Sequence, residues 1–210
     1  RAKSLLATIE AEVYKKKKIY QKLDLIITPS LFYKRKIEEA GIAKCPVIHM
    51  TNFLPEGTEY KSGNSNGEYF LYFGRLSREK GILTLIQAYE YAKVNRPLYI
   101  VGTGPMKEQI EQFIIKKKLQ GQVKLLGFKT GQELKNIISN ARCICLPSEW
   151  YENGPYSIME AQAVGKPVIV SDNGGLPELV EDGVNGYIVK AQNAQELAEK
   201  LLMCDNKEDW

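Results

Sequence analysis

The sequence predicts an α/β fold built on a doubly wound, Rossmann-like parallel sheet. Eight short apolar runs recur along the chain, amphipathic helical patterns separate most of them, and the repeat is about 20–30 residues long. Within the runs, apolar residues do not alternate with polar ones, so each run is expected to be a strand buried on both faces. The runs cover residues 23–28, 45–50, 69–73, 98–101, 123–126, 143–146, 167–170 and 186–189.

Helical faces are predicted between these strands because apolar residues recur at spacings of three and four. Strands that alternate with such helices indicate right-handed βαβ units, and therefore a parallel sheet. The predicted apolar faces comprise Ile82, Leu85, Ile86 and Tyr89; then Leu134, Ile137 and Ile138; then Leu197, Leu201 and Leu202.

The chain is expected to divide near a polar segment at residues 55–68, which is rich in glycine and has no periodicity. Such a segment is typical of a linker or surface loop. Residues 69–210 then form a self-contained unit of about six strands. Residues 1–54 hold only two strands and two helices, so we expect them to be the remnant of another α/β domain whose beginning is missing.

The net charge of +4 is too small to indicate a nucleic-acid partner, although it suits an anionic ligand. The sequence shows neither a signal peptide nor an apolar run of about 20 residues, and a cytoplasmic protein is expected. The four cysteines do not have a metal-ligand spacing, and no metal is expected. The run Lys15–Lys18 is interpreted either as a solvated helix face or as a peripheral contact with anionic lipid on the inner face of the cytoplasmic membrane.

The segment "FGRLSREKG" follows one buried strand and precedes a helix. Ligands of open α/β sheets bind at the carboxyl ends of the strands, where this segment lies. Gly74 permits close approach of another group, while Arg75 and Lys80 can contact phosphate oxygens as a planar fork and as a point charge. The alternative is that both cations are simply solvated on a loop.

The next strand is followed by "GTGP", in which Gly104 precedes Pro105. Proline near the first position of a helix is common, so this segment is expected to turn tightly into a helix. Gly104 is a candidate for contact with a bound ligand. It is equally consistent with a glycine that only turns the chain.

Two glutamates, Glu152 and Glu160, have seven residues between them in "EWYENGPYSIMEAQAVGKPVIVSDNGG". They could form a general acid/base pair, or they could bind hydroxyls beside amides at a helix start that attract anions. The alternative for Glu160 is a carboxylate in the first turn of a helix, favoured by the helix dipole. Gly174 and Gly175 further along would let the backbone approach a ligand or a neighbouring loop.

Taken together and in this order, the motifs resemble glycosyltransferase family 4, the retaining transferases of the GT-B fold. The resemblance is carried by "YFGRLSREKGILTLIQAY", "LYIVGTGP", "VKLLGF" and the long segment from "LKNIISNARCICLPSEWYENGPYSIMEAQAVGKPVIVSDNGG" to "GYIV". It covers residues 69–204, nearly all of a C-terminal, donor-binding domain. The earlier "LDLIITPSLFYKRKIEEAGI" and "VIHMTNFLP" resemble the end of the N-terminal domain and the hinge.

The resemblance implies roles for the charged residues. Glu152 and Glu160 match the family's paired glutamates, so Glu152 would face the hydroxyls of the transferred sugar and Glu160 those of the ribose. Arg75 and Lys80 would neutralise the diphosphate, and Gly74 would lie beneath it. Arg75, Lys80 and Glu152 are therefore the expected catalytic residues.

The resemblance also implies contacts made by the backbone. Gly127 and Phe128 would lie near the base, and amides around Gly154, Tyr156 and Ser157 would meet the phosphates or the sugar. One position departs from the family, which commonly has Phe-Gly two and three places after the first glutamate. Here those places hold Gly154 and Pro155, and proline cannot offer an N–H.

The expected activity is that of a retaining hexosyltransferase in polysaccharide biosynthesis. It would carry a sugar from a UDP- or GDP-sugar to a glycan or lipid-linked acceptor, with no cofactor and no metal. The alternative is a nucleotide-sugar-binding or epimerase-type module on the same GT-B scaffold. Because the N-terminal domain supplies the acceptor side of a GT-B cleft, these 210 residues alone are expected to transfer no sugar.

Overall fold

A computed structural model describes residues 2–55 and 66–207, so most of the predicted linker, residues 56–65, lies outside the described residues. The chain forms two units, an N-terminal unit of Arg1–Asn52 and a C-terminal unit of Phe53–Trp210. The strands are β1 Ile26–Thr28, β2 Val47–His49, β3 Tyr69–Phe73, β4 Leu98–Val101, β5 Val123–Gly127, β6 Ala141–Leu146, β7 Val168–Ser171 and β8 Gly186–Val189. The helices are α1 Ala2–Lys16, α2 Leu31–Ala40, α3 Ile82–Ala92, α4 Lys107–Lys116, α5 Gly131–Ser139, α6 Tyr156–Ala163 and α7 Ala194–Asn206.

The C-terminal unit contains a six-stranded sheet in the order β5-β4-β3-β6-β7-β8, and every neighbouring pair is parallel. The chain starts in the middle at β3, winds outward to β5, then returns to β6 and winds outward to β8. This is the order of a doubly wound sheet, so the predicted fold class is confirmed. Helix α3 contacts α4 and α7, and α5 contacts α6, which covers the sheet on both sides.

The core follows the predicted pattern most closely in the central strands. All residues of β3, β6 and β7 are buried, because helices cover both faces. The prediction of full burial is wrong for β5, where Lys124 is exposed at the edge of the sheet. It is also wrong for β1 and β2, a separate two-stranded pair in which Ile27 and Ile48 are exposed.

The predicted helical faces are mostly correct. In α3 the four expected residues are buried, and in α5 Ile138 is buried while Leu134 and Ile137 pack against the core. In α7, Leu197 and Leu201 are buried, but Leu202 is 44% exposed. One residue advances a helix by about 100°, so Leu202 points away from the face that carries Leu201.

Arg96 joins the segment before β3 to the end of α7. Its guanidinium donates to the carbonyl oxygen of Gly67 and the side chain of Asn66, just before β3, and to the carboxylate of Asp205 near the end of α7. The Arg96–Asp205 ion pair is only partly exposed, which limits screening by solvent. One side chain therefore closes the unit at the edge where the strands begin.

The N-terminal unit is small, and its helices carry recognisable end signals. Ser30 caps α2 by accepting a hydrogen bond from the amide of Tyr33, and Gly41 ends the helix with φ +58°. On α1, Leu5 and Leu6 are exposed. Among the described residues, no helix has both the length and the apolar character required to cross a bilayer.

Candidate functional site

The loop after β3 is held in a defined shape by its neighbours. Gly74 has φ +152°, a value suited to glycine, and the hydroxyl of buried Tyr72 donates to the carbonyl oxygen of Arg75 at 2.8 Å. The amide of Leu76 donates to the carbonyl oxygen of Thr103, which follows β4. The guanidinium of Arg75 is exposed, and within residues 2–55 and 66–207 nothing accepts a hydrogen bond from it. Arg75 is therefore available to an anion at the carboxyl end of β3.

The same loop packs closely on the loop that follows β6. Gly81 has φ +67°, and a Cβ at this position would lie 2.0 Å from the carbonyl oxygen of Pro147. The amide of Glu149 donates to the carbonyl oxygen of Glu79 at 2.7 Å. Glycine is required at position 81 because any side chain would push these two loops apart.

Lys80 and Glu152 meet where these loops come together. The ammonium nitrogen of Lys80 lies 2.5 Å from Oε1 of Glu152, and the Ser148 hydroxyl lies 2.7 Å from the same oxygen. Both ends of the ion pair are largely buried, so it is better shielded from water than an exposed pair. An ammonium group has three protons, which leaves Lys80 able to donate to a ligand as well.

The backbone of Glu152 is fixed from the side of β7. The amide of Gly175 donates to the carbonyl oxygen of Glu152 at 2.7 Å, and a Cβ on Gly174 would lie 2.4 Å from that oxygen. The two glycines therefore serve the approach of a neighbouring loop, one of the two interpretations offered for them. The carbonyl oxygen of Ser148 accepts from the hydroxyl of Ser171 at 2.5 Å, which ties the start of the loop to β7.

Glu160 is the fifth residue of α6, which begins at Tyr156. The interpretation of Glu160 as a first-turn carboxylate is therefore wrong, because the first turn of the helix ends before Glu160. Its carboxylate is half-buried, and among the described residues it has neither a hydrogen-bond donor nor an ion-pair partner. Burial raises the pKa of Glu160, while the nearby charge of Lys135 opposes that rise. A carboxylate held without a donor is poised to accept hydrogen bonds from a ligand.

The start of α6 follows the loop that contains Gly154, which is buried with φ +76°. Pro155 occupies the position before the helix, and Tyr156 and Ser157 open the first turn without a side-chain cap. The first amides of a helix have no partner inside it and attract anions. The missing N–H of Pro155 thus removes one donor, and the amide of Ile158 donates to the carbonyl oxygen of Pro155 at 3.2 Å. The amides of Tyr156 and Ser157 remain.

Gly104 and its neighbour Gly102 lie against the loop after β3. A Cβ on Gly104 would lie 2.3 Å from the carbonyl oxygen of Leu76, and one on Gly102 would lie 1.8 Å from that of Gly74. These contacts explain the glycines through loop packing. A ligand contact at Gly104 stays a prediction.

Gly127 and Phe128 lie at the end of β5, on the outer side of the sheet. Gly127 has φ +71°, and its carbonyl oxygen accepts from the amide of Gly102 at 2.8 Å. The ring of Phe128 is 70% exposed. An exposed ring at the end of β5 can stack on a planar base. The place of both residues near the base stays a prediction.

Sequence reasoning missed a second group of residues on the same loops. Ser77 donates to Oε1 of Glu79 at 2.6 Å, and this bond lowers the pKa of Glu79. Thr84 donates to Oε1 of Glu149 at 2.7 Å. The two glutamates line a cleft of about 560 Å³ together with Arg78, Trp150 and Gln192. Trp150, an aromatic residue in a polar loop, was the available signal.

The structure thus brings Lys80, Glu152 and Ser148 into direct contact. Arg75, Glu160 and the start of α6 lie on loops or helices at the carboxyl ends of the same strands. Within the described part of the chain, no group of three or more histidine, cysteine, aspartate or glutamate side chains is placed to bind a metal ion. This arrangement can bind an anion next to a ligand rich in hydroxyls.

Comparisons with known sequences all match this chain to glycosyltransferases. The family described as "Glycosyl transferases group 1" matches residues 59–206. The amylovoran biosynthesis glycosyltransferase AmsK of Erwinia amylovora is 36% identical over 136 residues, which cover 61% of this chain and 33% of AmsK. An uncharacterized glycosyltransferase of Methanocaldococcus jannaschii is 31% identical over 186 residues, covering 89% of this chain and 51% of that protein. The chain thus spans a third to a half of these relatives.

Solved structures with the same fold include Anabaena HepE in complex with UDP-glucose. It is 26% identical with a TM-score of 0.78, over 89% of this chain and 55% of that one. TarM of S. aureus is 23% identical with a TM-score of 0.79. The match covers 91% of this chain and 38% of the TarM chain, and it supports the fold alone.

Proposed function

The chain belongs to the group 1 glycosyltransferases, and on that premise we propose that it provides the donor side of a retaining enzyme of the family 4 type. The donor is a hexose linked to a nucleoside diphosphate, UDP or GDP, and the acceptor is a glycan or a lipid-linked sugar. Similarity to AmsK and to HepE, which was solved with UDP-glucose, favours a UDP-sugar and a role in polysaccharide biosynthesis.

The observation that carries this proposal is the contact between Lys80 and Glu152. A sugar nucleotide places sugar hydroxyls and a diphosphate on either side of one bond. Lys80 can bind the phosphate with its remaining protons while Glu152 accepts from a sugar hydroxyl. Because the two side chains touch, the sugar and the diphosphate on either side of that bond can be bound at the same place.

Cleavage of the sugar–diphosphate bond leaves negative charge on the departing oxygens. Arg75 and Lys80 lie ready to stabilise that charge, and the first amides of α6 add a partial positive charge. Glu160 accepts hydrogen bonds from the ribose hydroxyls. With these two cations the site can neutralise the diphosphate without a metal ion, and attack from the face that the diphosphate leaves gives retention.

Binding to nucleotides tests the proposal directly. UDP, GDP and ADP are titrated calorimetrically into the 210-residue chain in the presence of EDTA. Binding of UDP or GDP without metal supports the donor site, and a strict requirement for metal would contradict it. The same chain is expected to transfer no sugar, since positioning an acceptor is a large part of the rate. Robust transfer by it alone would show that the domain interpretation is wrong.

The epimerase-type alternative is not favoured by the family match or by the names of the relatives. A radiolabelled donor assay on the full-length protein separates the two. Transfer of label to an acceptor supports a transferase, and epimerised nucleotide sugar without transfer supports the alternative. The cytoplasmic location and a peripheral contact of Lys15–Lys18 with anionic lipid remain part of this proposal.

A further inference from the structure

The cleft of Arg78, Glu79, Glu149, Trp150 and Gln192 plays no part in the proposed chemistry. Its volume of about 560 Å³ lies within the range of about 300–1,000 Å³ in which proteins bind small molecules. All five residues belong to the C-terminal unit, on the loops after β3, β6 and β8. The cleft is therefore a candidate binding site of its own.

Trp150 supplies the apolar wall of this cleft. Its ring is 64% exposed, an unusual state for the largest apolar side chain. The negative face of an aromatic ring attracts the slightly positive C–H face of a sugar. The exposed indole thus suits a ligand with one apolar face and polar edges.

The polar wall is arranged before any ligand arrives. Ser77 holds Oε1 of Glu79 and Thr84 holds Oε1 of Glu149, so neither carboxylate is free to rotate. Gln192 has φ +62°, a conformation uncommon outside glycine, and its amide can both donate and accept. Fixed acceptors of this kind suit hydroxyl groups.

The charges around the cleft have both signs. Its lining has two carboxylates and the guanidinium of Arg78, and the cations of Arg75 and Lys80 also act on Glu79. Opposed charges of this kind give no preference for a charged ligand, whereas a neutral ligand can use every polar group. A neutral saccharide fits both walls.

Ser148 joins the cleft to the proposed donor site. Ser148 donates to the carbonyl oxygen of Glu79 at 3.0 Å and lies 2.7 Å from Oε1 of Glu152. Trp150 precedes Glu152 by two residues in the same loop. A sugar in the cleft would therefore lie beside the residues proposed to hold the donor.

We propose that this cleft is a second saccharide subsite, which binds a neutral sugar unit of the acceptor glycan outside the nucleotide-sugar pocket and adds to the acceptor contacts expected from the N-terminal domain. The proposal rests on the proposed glycosyltransferase function, because an enzyme that extends a glycan has such a ligand to hold. Its test measures binding and needs no transfer.

The chain has two tryptophans, Trp150 and Trp210, so Trp210→Phe makes Trp150 the reporter of indole fluorescence. Maltose, lactose, cellobiose and N,N′-diacetylchitobiose are titrated into this variant. At least one of these neutral sugars should change the emission saturably. Saturation-transfer NMR on the unsubstituted chain then reports binding independently of the indole.

Trp150→Ala should reduce the saturation transfer at least about fivefold, because the stacking surface is lost, and Glu149→Gln should reduce it less. The matched control is Tyr91→Ala, which removes a 46% exposed ring on α3 that does not line the cleft and should change nothing. The affinity for UDP should be the same in the unsubstituted chain and in these three variants, which shows that each protein is folded.

Absence of binding by every neutral sugar while UDP binds would overturn the subsite and leave the proposed function standing. Sugar binding that survives Trp150→Ala, or that UDP displaces, would overturn it too. Sugar binding of the expected kind in a chain that binds no UDP or GDP would support the subsite and overturn the proposed donor site.

Discussion

Lys80 and Glu152 form an ion pair 2.5 Å long although 72 positions separate them in the chain. The pair joins the loop after β3 to the loop after β6, the two segments in which the sequence places its candidate catalytic residues. It is not an isolated contact, since Ser148 lies 2.7 Å from the same carboxylate oxygen.

We predict that Lys80 and Glu152 are coupled in folding stability. In a double-mutant cycle of Lys80→Ala and Glu152→Ala, the double variant should be less destabilised than the sum of the single variants, by about 0.5–3 kcal/mol. Each single variant leaves one largely buried charge without its partner. Urea unfolding of the four proteins measures this, and additive free energies would show that the contact contributes nothing.

Arg75 should matter for nucleotide affinity and little for stability, because its guanidinium is exposed. Arg75→Ala should weaken UDP binding at least about tenfold, the loss expected for a charge-assisted bond to phosphate. Lys80→Ala should do the same at some cost in stability. Lys116→Ala, at the far end of α4, is the matched control in calorimetry. Unchanged affinity in both site variants would remove them from the donor site.

Glu160 should discriminate ribose from deoxyribose. Glu160→Gln should weaken the binding of UDP more than that of 2′-deoxy-UDP. In glutamine an NH2 group, which can only donate, replaces one of the two oxygens that accept. The control is Glu108→Gln, an exposed glutamate in the first turn of α4. Equal loss for both nucleotides would mean that Glu160 does not bind the ribose.

The stability of the chain should depend on pH through Glu160. Burial raises the pKa of Glu160 above its ordinary value of 4.5, so the folded state binds this proton more tightly than the unfolded state does. The stabilisation from the bound proton is fully present below 4.5 and is lost as pH rises through the higher folded value. Glu160→Gln should therefore raise Tm at neutral pH and make little difference below 4.5. A Tm gain that is the same at both pH values would contradict this explanation.

Gly174 should be much less tolerant of alanine than Gly183. Both have positive φ, +67° and +81°, but a Cβ on Gly174 would lie 2.4 Å from the carbonyl oxygen of Glu152, whereas one on Gly183 meets nothing within 4 Å. Gly183→Ala should cost about 1–2 kcal/mol from backbone strain alone, and Gly174→Ala distinctly more. Chemical unfolding of the two variants measures the loss of stability in each. If the two losses are similar, the Cβ clash at Gly174 contributes nothing beyond backbone strain.

Much of the fold was predictable because it depends on local pattern. Each of the eight apolar runs contains a strand, although β1 and β2 cover only half of theirs, and the α3 face is the predicted one. The start of β6 was missed because Arg142 breaks the apolar run, yet its guanidinium is buried and donates to the carbonyl oxygen of Cys204. That partner lies 62 positions away, so local pattern could not identify it.

The candidate site was predictable as a set of residues but not as an arrangement. Sequence spacing indicated Lys80 and Glu152 separately, whereas their contact depends on how two loops pack. Ser148 was missed, since a buried serine at a strand end has no distinctive pattern. The beginning of α6 was misplaced because the polar segment before Glu160 hides the first turn of the helix.

The guanidinium of Arg96 ties the segment before β3 to the end of α7 at the edge where the strands begin. Every proposed ligand contact lies at the other edge, where the strands end. The length of a strand thus separates the residues that keep the unit closed from those that face a ligand. Loops at the ligand edge can change in sequence and length, and with them the choice of ligand, without loosening the contacts that close the unit.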